Sequence, residues 1–508
     1  MPNLNIGSNK SNGKKPSIIV VGAGIGGLTA GALLAHRGYE VFIFDQAIVP
    51  GGCASTFKRR GFTFDVGATQ VAGLEPGGIH HRIFSELEID LPPATPCDPS
   101  CAVFLPFESE PINVWRDPQK WKQERQRQFP GSDRFWNLLS KLFAASWEFQ
   151  GRDPVLPPRN AWDLLQLTKA LRPSTLITVP YTLFTVGDAL RFCGVGSDKR
   201  LRQFLDLQLK LYSQVNAEET ALLYAATALS VSQEPQGLYH LEGSMQVLSD
   251  KLVSALERDG GKLLMGHSVE SIQVENDKAV GVVVRNQKTG EVWTQTADHV
   301  VANVTVQDLM KLLGDEAPRG YKRRVDKLPD SSGAFVIYLG VDKSAIPTGC
   351  PPHLQFMYDP DGPIGENNSL FVSVSRPNDG RSPDGKATII ASSFVDTQPW
   401  YDTNDYQGLK EKYTQEAISR LNSYFYLKSE TIVYTEAATP KTFCNYTARD
   451  KGIVGGIGQR IPTFGPFGFA NRTPINGLWL VGDSTHPGEG TAGVSYSALT
   501  VVRQIETD

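Results

Sequence analysis

The chain has 508 residues, 20% of them charged, and a formal net charge of −4. At roughly 150 residues per domain it holds about three domains or two large ones, enough core to need no disulfide or metal staple. The mild acidity gives no global basic field, so no nucleic-acid partner is expected. Six cysteines (Cys53, Cys97, Cys101, Cys193, Cys350 and Cys444) are sparse for this length. Only Cys97 and Cys101 lie close together and no second pair completes a zinc site, so the expectation is reduced thiols in a cytoplasmic setting and no metal.

Residues 1–16 are polar and contain no apolar core of a signal peptide, which reads as a disordered tail. Ile18 to Val21 is a continuous β-branched run, a buried-strand pattern. Gly22-Ala23-Gly24-Ile25-Gly26-Gly27 follows, then a helix over Leu28 to Arg37 stopped by Gly38. Glu40 to Phe44 is a second strand, with Asp45 at its end. The order strand, glycine turn, helix, strand, acid is one β-α-β unit, and residues 17–79 are taken as the first part of a dinucleotide-binding domain.

Residues 80–240 change character, carrying five of the eight tryptophans (Trp115, Trp121, Trp136, Trp147 and Trp162) and several helical patterns. They are assigned to a second, substrate-binding domain. Leu201, Phe204, Leu205, Gln208 and Tyr212 share one helical face, and Ala217 to Leu229 reads as another helix. The most apolar stretch, Leu176 to Val186, is interrupted by Pro180 and three threonines. It is too short to span a bilayer, and no run of about 18 apolar residues exists. As part of Leu176 to Phe192 it is a candidate surface-inserting segment, against the plainer reading of a buried helix or loop.

Residues 241–312 return to the first domain. Ser244 is a candidate cap for a helix whose apolar face is Met245, Leu248, Leu252 and Leu256, closed by Gly260-Gly261. Val269–Val274, Ala279–Arg285 and Glu291–Thr296 read as a three-stranded meander, and Val300 to Ala302 as a strand returning to the first sheet. Residues 313–440 are the rest of the substrate domain, with strands over Ala334–Val341 and Ala387–Phe394 and a helix over Leu409–Tyr424. Residues 441–508 complete the first domain, with a strand at Leu478 to Val481, a glycine-rich loop and a terminal helix. The fold class is α/β: a Rossmann-like dinucleotide-binding domain interleaved with a mixed α+β domain.

Gly22, Gly24 and Gly27 fit G-x-G-x-x-G, with Gly26 inside it. Their roles are a tight turn, close approach of backbone to a pyrophosphate, and packing of helix on strand. The pyrophosphate then meets a helix N-terminus, whose free N–H groups and dipole favour anions. Asp45, 23 residues after Gly22, stands where an acid hydrogen-bonds ribose hydroxyls and would repel a 2′-phosphate.

Three further stretches separate FAD from NAD: Pro50-Gly51-Gly52-Cys53-Ala54-Ser55, Phe62-Thr63-Phe64-Asp65-Val66-Gly67-Ala68-Thr69, and Gly482-Asp483-Ser484-Thr485-His486-Pro487-Gly488-Glu489-Gly490-Thr491-Ala492-Gly493-Val494. With these the chain resembles the FAD-dependent carotenoid desaturases and isomerases, including phytoene desaturases, and more distantly amine oxidases. The resemblance covers nearly the whole chain and implies non-covalent FAD. It implies Gly51, Gly52, Gly482 and Asp483 at the cofactor's ribityl and phosphate portion. It places Val269 at the adenine through backbone, and Gly490 to Val494, including Gly493, at the isoalloxazine. Many relatives carry Arg after the double glycine where this chain has Cys53; Lys58, Arg59 or Arg60 are the local replacements. Thr485 to Gly490 looks more like the desaturases than like the Cys-Phe-Pro-Gly-Gln-Gly loop of the isomerase branch, and Asp153 to Arg191 is most similar to carotenoid 3′,4′-desaturases.

The implied reaction removes two hydrogens beside a polyene, hydride to flavin N5 and a proton to a base or water. His486 and Glu489 are the candidate proton acceptors, each weighed against a role in ordering the loop. The implied partners are a carotenoid, quinone or oxygen as electron acceptor, and a membrane surface reached peripherally. A carotenoid cis–trans isomerase using reduced FAD, and a carotenoid-binding flavoprotein without turnover, are the alternatives.

Overall fold

The computed structural model describes residues 16–508; the tail reading for residues 1–16 therefore lies almost wholly outside the described residues. A five-stranded parallel sheet has the order Lys262–Met265, Glu40–Asp45, Ser17–Val21, His299–Ala302, Leu478–Leu480. Every strand of it comes from residues 17–79, 241–312 or 441–508. The central strands are apolar on both faces because both faces are covered, as parallel sheets require. On one side the helix Ile25–His36 is buried between Gln246–Arg258 and Thr491–Ile505. That helix starts three residues before the sequence pattern, inside the glycine turn. It ends in a Schellman motif: Gly38, at φ +84°, donates to the Ala35 carbonyl and Tyr39 to that of Leu34. On the other side lies the antiparallel meander His267–Glu275, Lys278–Asn286, Val292–Thr296. Its first turn places Asn276 and Asp277 both at positive φ, the twist a two-residue hairpin needs.

The second sheet has seven strands in the order Ile432–Ala438, Gly333–Asp342, Lys386–Val395, Ser369–Val374, His353–Met357, Cys101–Phe104, Ile112–Val114. The sequence reading found two of these. The strand Gly333–Asp342 alternates strictly: Phe335, Ile337, Leu339 and Val341 pack with Trp400, Ala417 and Leu421 of the outer helices. Ala334, Val336 and Tyr338 face the opposite way, towards Phe62 and Phe64. The hairpin Thr56–Arg59/Phe62–Asp65 thus packs on this sheet although its chain segment belongs to the first domain's run.

The helices Pro118–Gln128, Asp133–Gln150, Val186–Phe192, Lys199–Ser213 and Leu222–Ala228 enclose a separate apolar core. Leu201, Phe204, Leu205 and Gln208 are buried on the face the spacing indicated. The helix expected from Ala217 begins only at Leu222, because Asn216 to Thr220 form turns and Ala221 bridges to Thr185. The helix expected from Leu409 begins at Tyr406, capped by Asp405. Ser244 precedes the N-cap position of its helix, yet its hydroxyl still accepts from the Gln246 N–H at 3.3 Å.

The Leu176 to Phe184 segment is a short helix and a 3-10 turn lying on the surface. Ile177 (51% exposed), Leu183 (64%) and Phe184 (40%) stand in water, which removes the buried-helix alternative for this stretch. The helix that follows, Val186–Phe192, does bury Val186 and Leu190. Among the described residues, no helix is long and apolar enough to cross a membrane.

Candidate active site

A single cavity of about 1110 Å³ runs from the end of the parallel sheet to the inner face of the second sheet and the helical layer. At the sheet end, Gly22 has φ +96° and its N–H donates to the Phe44 carbonyl at 2.8 Å. A Cβ on Gly24 or Gly26 would meet the side chain of Asn303 at 3.0 or 2.8 Å. Asn303 comes from the strand returning after the meander, and its amide donates to the Gly22 carbonyl at 3.3 Å. Nothing near residue 22 in the sequence announces it. Gly27 does not line the cavity; a Cβ there would lie 2.1 Å from the Gly22 carbonyl oxygen, so only glycine lets the helix cross the strand this closely. No side chain caps the N-terminus of this helix. The first N–H groups of a helix have no partner within it, so the end offers donors to an anion.

Asp45 lines the same wall. One of its oxygens accepts from the Ala23 N–H and the other from the Ala47 N–H, each at 2.7 Å. It therefore fixes the glycine turn first, and the lone pairs left on each oxygen are what a ribose hydroxyl could use. Gly51, at φ +115°, donates to the Ala23 carbonyl at 2.8 Å, folding the Pro50-Gly51-Gly52 loop against the turn. Val269 lies at a register shift in the meander, between its pairing with Val284 and the next pair at Ser271. A bulge there frees backbone groups from the ladder to face a ligand.

From the opposite side, Gly482 donates its N–H to the Ser497 hydroxyl at 3.1 Å. Asp483 accepts from Arg449 at 2.5 Å. The helix Thr491–Ile505 begins at Gly490 without a side-chain cap, so a second helix N-terminus, with Gly493 and Val494, opens on the cavity. Of the residues singled out in the sequence, Gly22, Gly24, Gly26, Asp45, Gly51, Gly52, Val269, Gly482, Asp483, His486, Glu489, Gly493 and Val494 line one cavity, and Gly27 shapes its floor from behind. Lys58, Arg59 and Arg60 do not line it; they are exposed on the hairpin. Among the described residues no cluster of acids, histidines and cysteines could hold a metal, and the six cysteines are free.

His486 and Glu489 both line the cavity. His486 is buried; its Nε2 is 2.9 Å from the Gln150 side-chain amide, and its Nδ1 has no hydrogen-bond partner. Burial, with no carboxylate beside it, pulls its pKa down to about 3, so the ring is neutral. Glu489 accepts from the Gln214 amide at 2.9 Å, leaving its other oxygen without a partner. Burial first, and then the charge of Asp483, pushes its carboxyl up to about 8. Gln150 and Gln214 come from the helical layer, far away in sequence. The same cavity is also lined by apolar side chains of the helical layer and second sheet, among them Trp147, Phe149, Leu167, Leu171, Leu223 and Phe371. Val179 and Thr182 line it too, and their chain neighbours Ile177, Leu183 and Phe184 are exposed.

These features fit FAD: two uncapped helix ends for anionic or electron-rich groups, glycine walls that a Cβ would fill, and buried acceptors for hydroxyls. The profile of the flavin containing amine oxidoreductase family matches residues 25–506. The chain is 30% identical over 519 residues to the chloroplastic prolycopene isomerase of Daucus carota, covering 96% of this chain and 80% of that protein. It is 25% identical over 502 residues to the zeta-carotene-forming phytoene desaturase of Myxococcus xanthus, with 96% and 94% covered. Cyclohexylamine oxidase from Brevibacterium oxydans shares the fold with a TM-score of 0.61 at 16% identity, with 97% and 99% of the two chains covered. The chain belongs to the flavin containing amine oxidoreductase family and is an FAD-dependent oxidoreductase.

Proposed function

We propose that this oxidoreductase desaturates a carotenoid, removing two hydrogens from adjacent carbons beside the polyene, at the 3′,4′ bond. The observation that carries the reading is the continuity of one cavity. It is lined at once by the glycine turn, by apolar side chains such as Trp147, Phe149, Leu167 and Leu223, and by Val179, which neighbours the exposed Ile177. A long polyene needs an apolar cavity of large volume, and a small amine would not need one of about 1110 Å³. The carotenoid-processing relatives support the same substrate class.

FAD supplies the two-electron oxidation that no side chain of the protein can perform. The protein positions the polyene, excludes water and receives the proton. Glu489 is the acceptor in this reading: it is buried, one oxygen is unengaged, and a carboxyl near pH 8 is matched to proton transfer at neutral pH. His486, neutral and hydrogen-bonded to Gln150, orients the loop and presents an uncharged ring. The exposed Ile177, Leu183 and Phe184 dock the cavity mouth on a lipid surface, from which an insoluble polyene enters. Quinone or oxygen is the electron acceptor in this reading.

A second reading, carotenoid cis–trans isomerisation with reduced FAD, is favoured by the identity to prolycopene isomerases. The experiment is aerobic incubation of flavin-loaded protein with liposomes carrying a monocyclic carotenoid, followed by spectrum and product mass. A red shift with loss of two hydrogens establishes desaturation. A spectral change at constant mass that requires reduced flavin establishes isomerisation. Binding with neither change, for cyclic and acyclic carotenoids alike, rejects both in favour of a carrier.

A further inference from the structure

We propose that Arg449 provides the cationic contact to the FAD diphosphate that this chain lacks beside its double glycine. The inference rests on the flavin reading and adds a residue to it.

The diphosphate carries two negative charges, and a helix N-terminus contributes only partial positive charge to meet them. The residue after Gly51-Gly52 is Cys53, whose thiol burial pushes up and so keeps neutral. The basic run that follows points elsewhere: Arg59 is 3.9 Å from Glu436 and Arg60 lies over the Tyr434 ring. Among the described residues, three lysine or arginine side chains line the cavity: Arg82, Lys311 and Arg449. Arg82 is engaged at two points by Asp153, at 3.0 and 2.7 Å. Lys311 is 57% exposed and sits 2.5 Å from Asp450.

Arg449 is placed differently. One terminal nitrogen donates to the Gly455 carbonyl at 2.7 Å and the other to Asp483 at 2.5 Å. Those two bonds leave three of the five guanidinium N–H donors. The side chain keeps 22% of its surface open while its residue borders the cavity. Arg449 and Cys53 line the same cavity, and the helix Pro440–Thr447 that leads into Arg449 packs against Gly52–Ala54, the side on which the sequence has no cation. Asp483 and Gly455 hold the fork in place, so a phosphate finds oriented donors. A pair serving stability alone would need neither the open surface nor the shared wall.

The test is titration of flavin-free protein with FAD, FMN and riboflavin, read by quenching of flavin fluorescence. Arg449→Gln should weaken FAD by about ten- to a hundredfold, the range for a charged hydrogen bond, with riboflavin, which has no phosphate, within twofold. FMN should fall between, and Arg449→Lys should recover part of the loss. Unchanged FAD affinity, or equal losses for FAD and riboflavin in a folded variant, overturns the proposal. If the glutamine variant does not fold, Arg449→Lys decides alone: selective weakening of FAD over riboflavin supports it and equal binding overturns it. Wild-type protein that binds no flavin of any kind defeats the flavin reading itself, a separate outcome.

Discussion

The two ends of the cavity are built by opposite means. At the cofactor end, backbone does the work: glycines remove side chains, helix ends supply donors, and Asn303 and Asp45 pin the turn. On the helical and second-sheet side, side chains do it, with aromatic and aliphatic walls and Val179 next to the exposed Ile177. Backbone construction tolerates almost no change, because an added Cβ meets main-chain atoms, as at Gly22 and Gly27, or the Asn303 amide that pins the turn, as at Gly24 and Gly26. An apolar wall tolerates many residues of similar size. His486 and Glu489 are buried in the cavity wall, and their opposite pKa shifts show what that burial does. The same burial makes a histidine a poor base and a carboxyl a better one.

The sharpest break is Gly27→Ala. Its Cβ would sit 2.1 Å from the Gly22 carbonyl, so the expected outcome is protein purified without FAD and destabilised by about 3 kcal/mol. Wild-type flavin content would refute the backbone account. Next in size is Glu489→Gln, expected to lower kcat by about a hundredfold or more with FAD affinity unchanged. In the native enzyme kcat should rise with pH through about 8, where the carboxyl becomes a base. If that limb survives the substitution, another group is the acceptor. Stability runs the other way. The folded-state carboxyl titrates near 8 against an ordinary 4.5, so its contribution is complete below 4.5 and is lost as pH rises through about 8. Urea unfolding across that window should show less of this decline in the glutamine variant.

Joint Ile177→Asp and Phe184→Asp substitution should weaken liposome binding by roughly tenfold or more, from the loss of two inserted apolar groups. Both side chains are half-exposed, so the melting temperature should hold; unchanged vesicle sedimentation removes the docking role. The smallest effect belongs to His486→Asn. A ring neutral above about pH 3 has no titration to lose between pH 5 and 9, so the shape of the profile should be unaltered and kcat should fall less than about tenfold. A larger loss, or a changed profile, would transfer the proton step to His486.

The β-α-β unit was legible because its signals are local: a β-branched strand, glycines at fixed spacing, Gly38 as a stop and Asp45 at the next strand's end. The meander was legible through its alternation and its Asn276-Asp277 turn. Most of the seven-stranded sheet was not. Its strands His353–Met357 and Ser369–Val374 are short, and their polar residues His353, Gln355, Ser369 and Ser373 lie on a face that is itself buried, so no solvent-facing side marks them. Leu176 to Phe184 was open between a surface and a buried placement, since hydrophobic composition alone does not say which side of the surface a segment occupies, and the structure leaves it exposed.

By itself the sequence determined the cofactor fold, the glycines of its turn, and His486 and Glu489 as polar residues of the terminal loop. Each of these is written in residues close together along the chain. Tertiary structure alone decided that Asn303 locks the glycine turn, that Gln150 and Gln214 hold the histidine and the carboxylate, and that Arg449 lines the same cavity as Cys53. It also decided that one cavity takes in both the glycine turn and apolar side chains of the helical layer. Those partners come from distant elements, and burial and charge are set by what surrounds a residue in space, which no local pattern encodes.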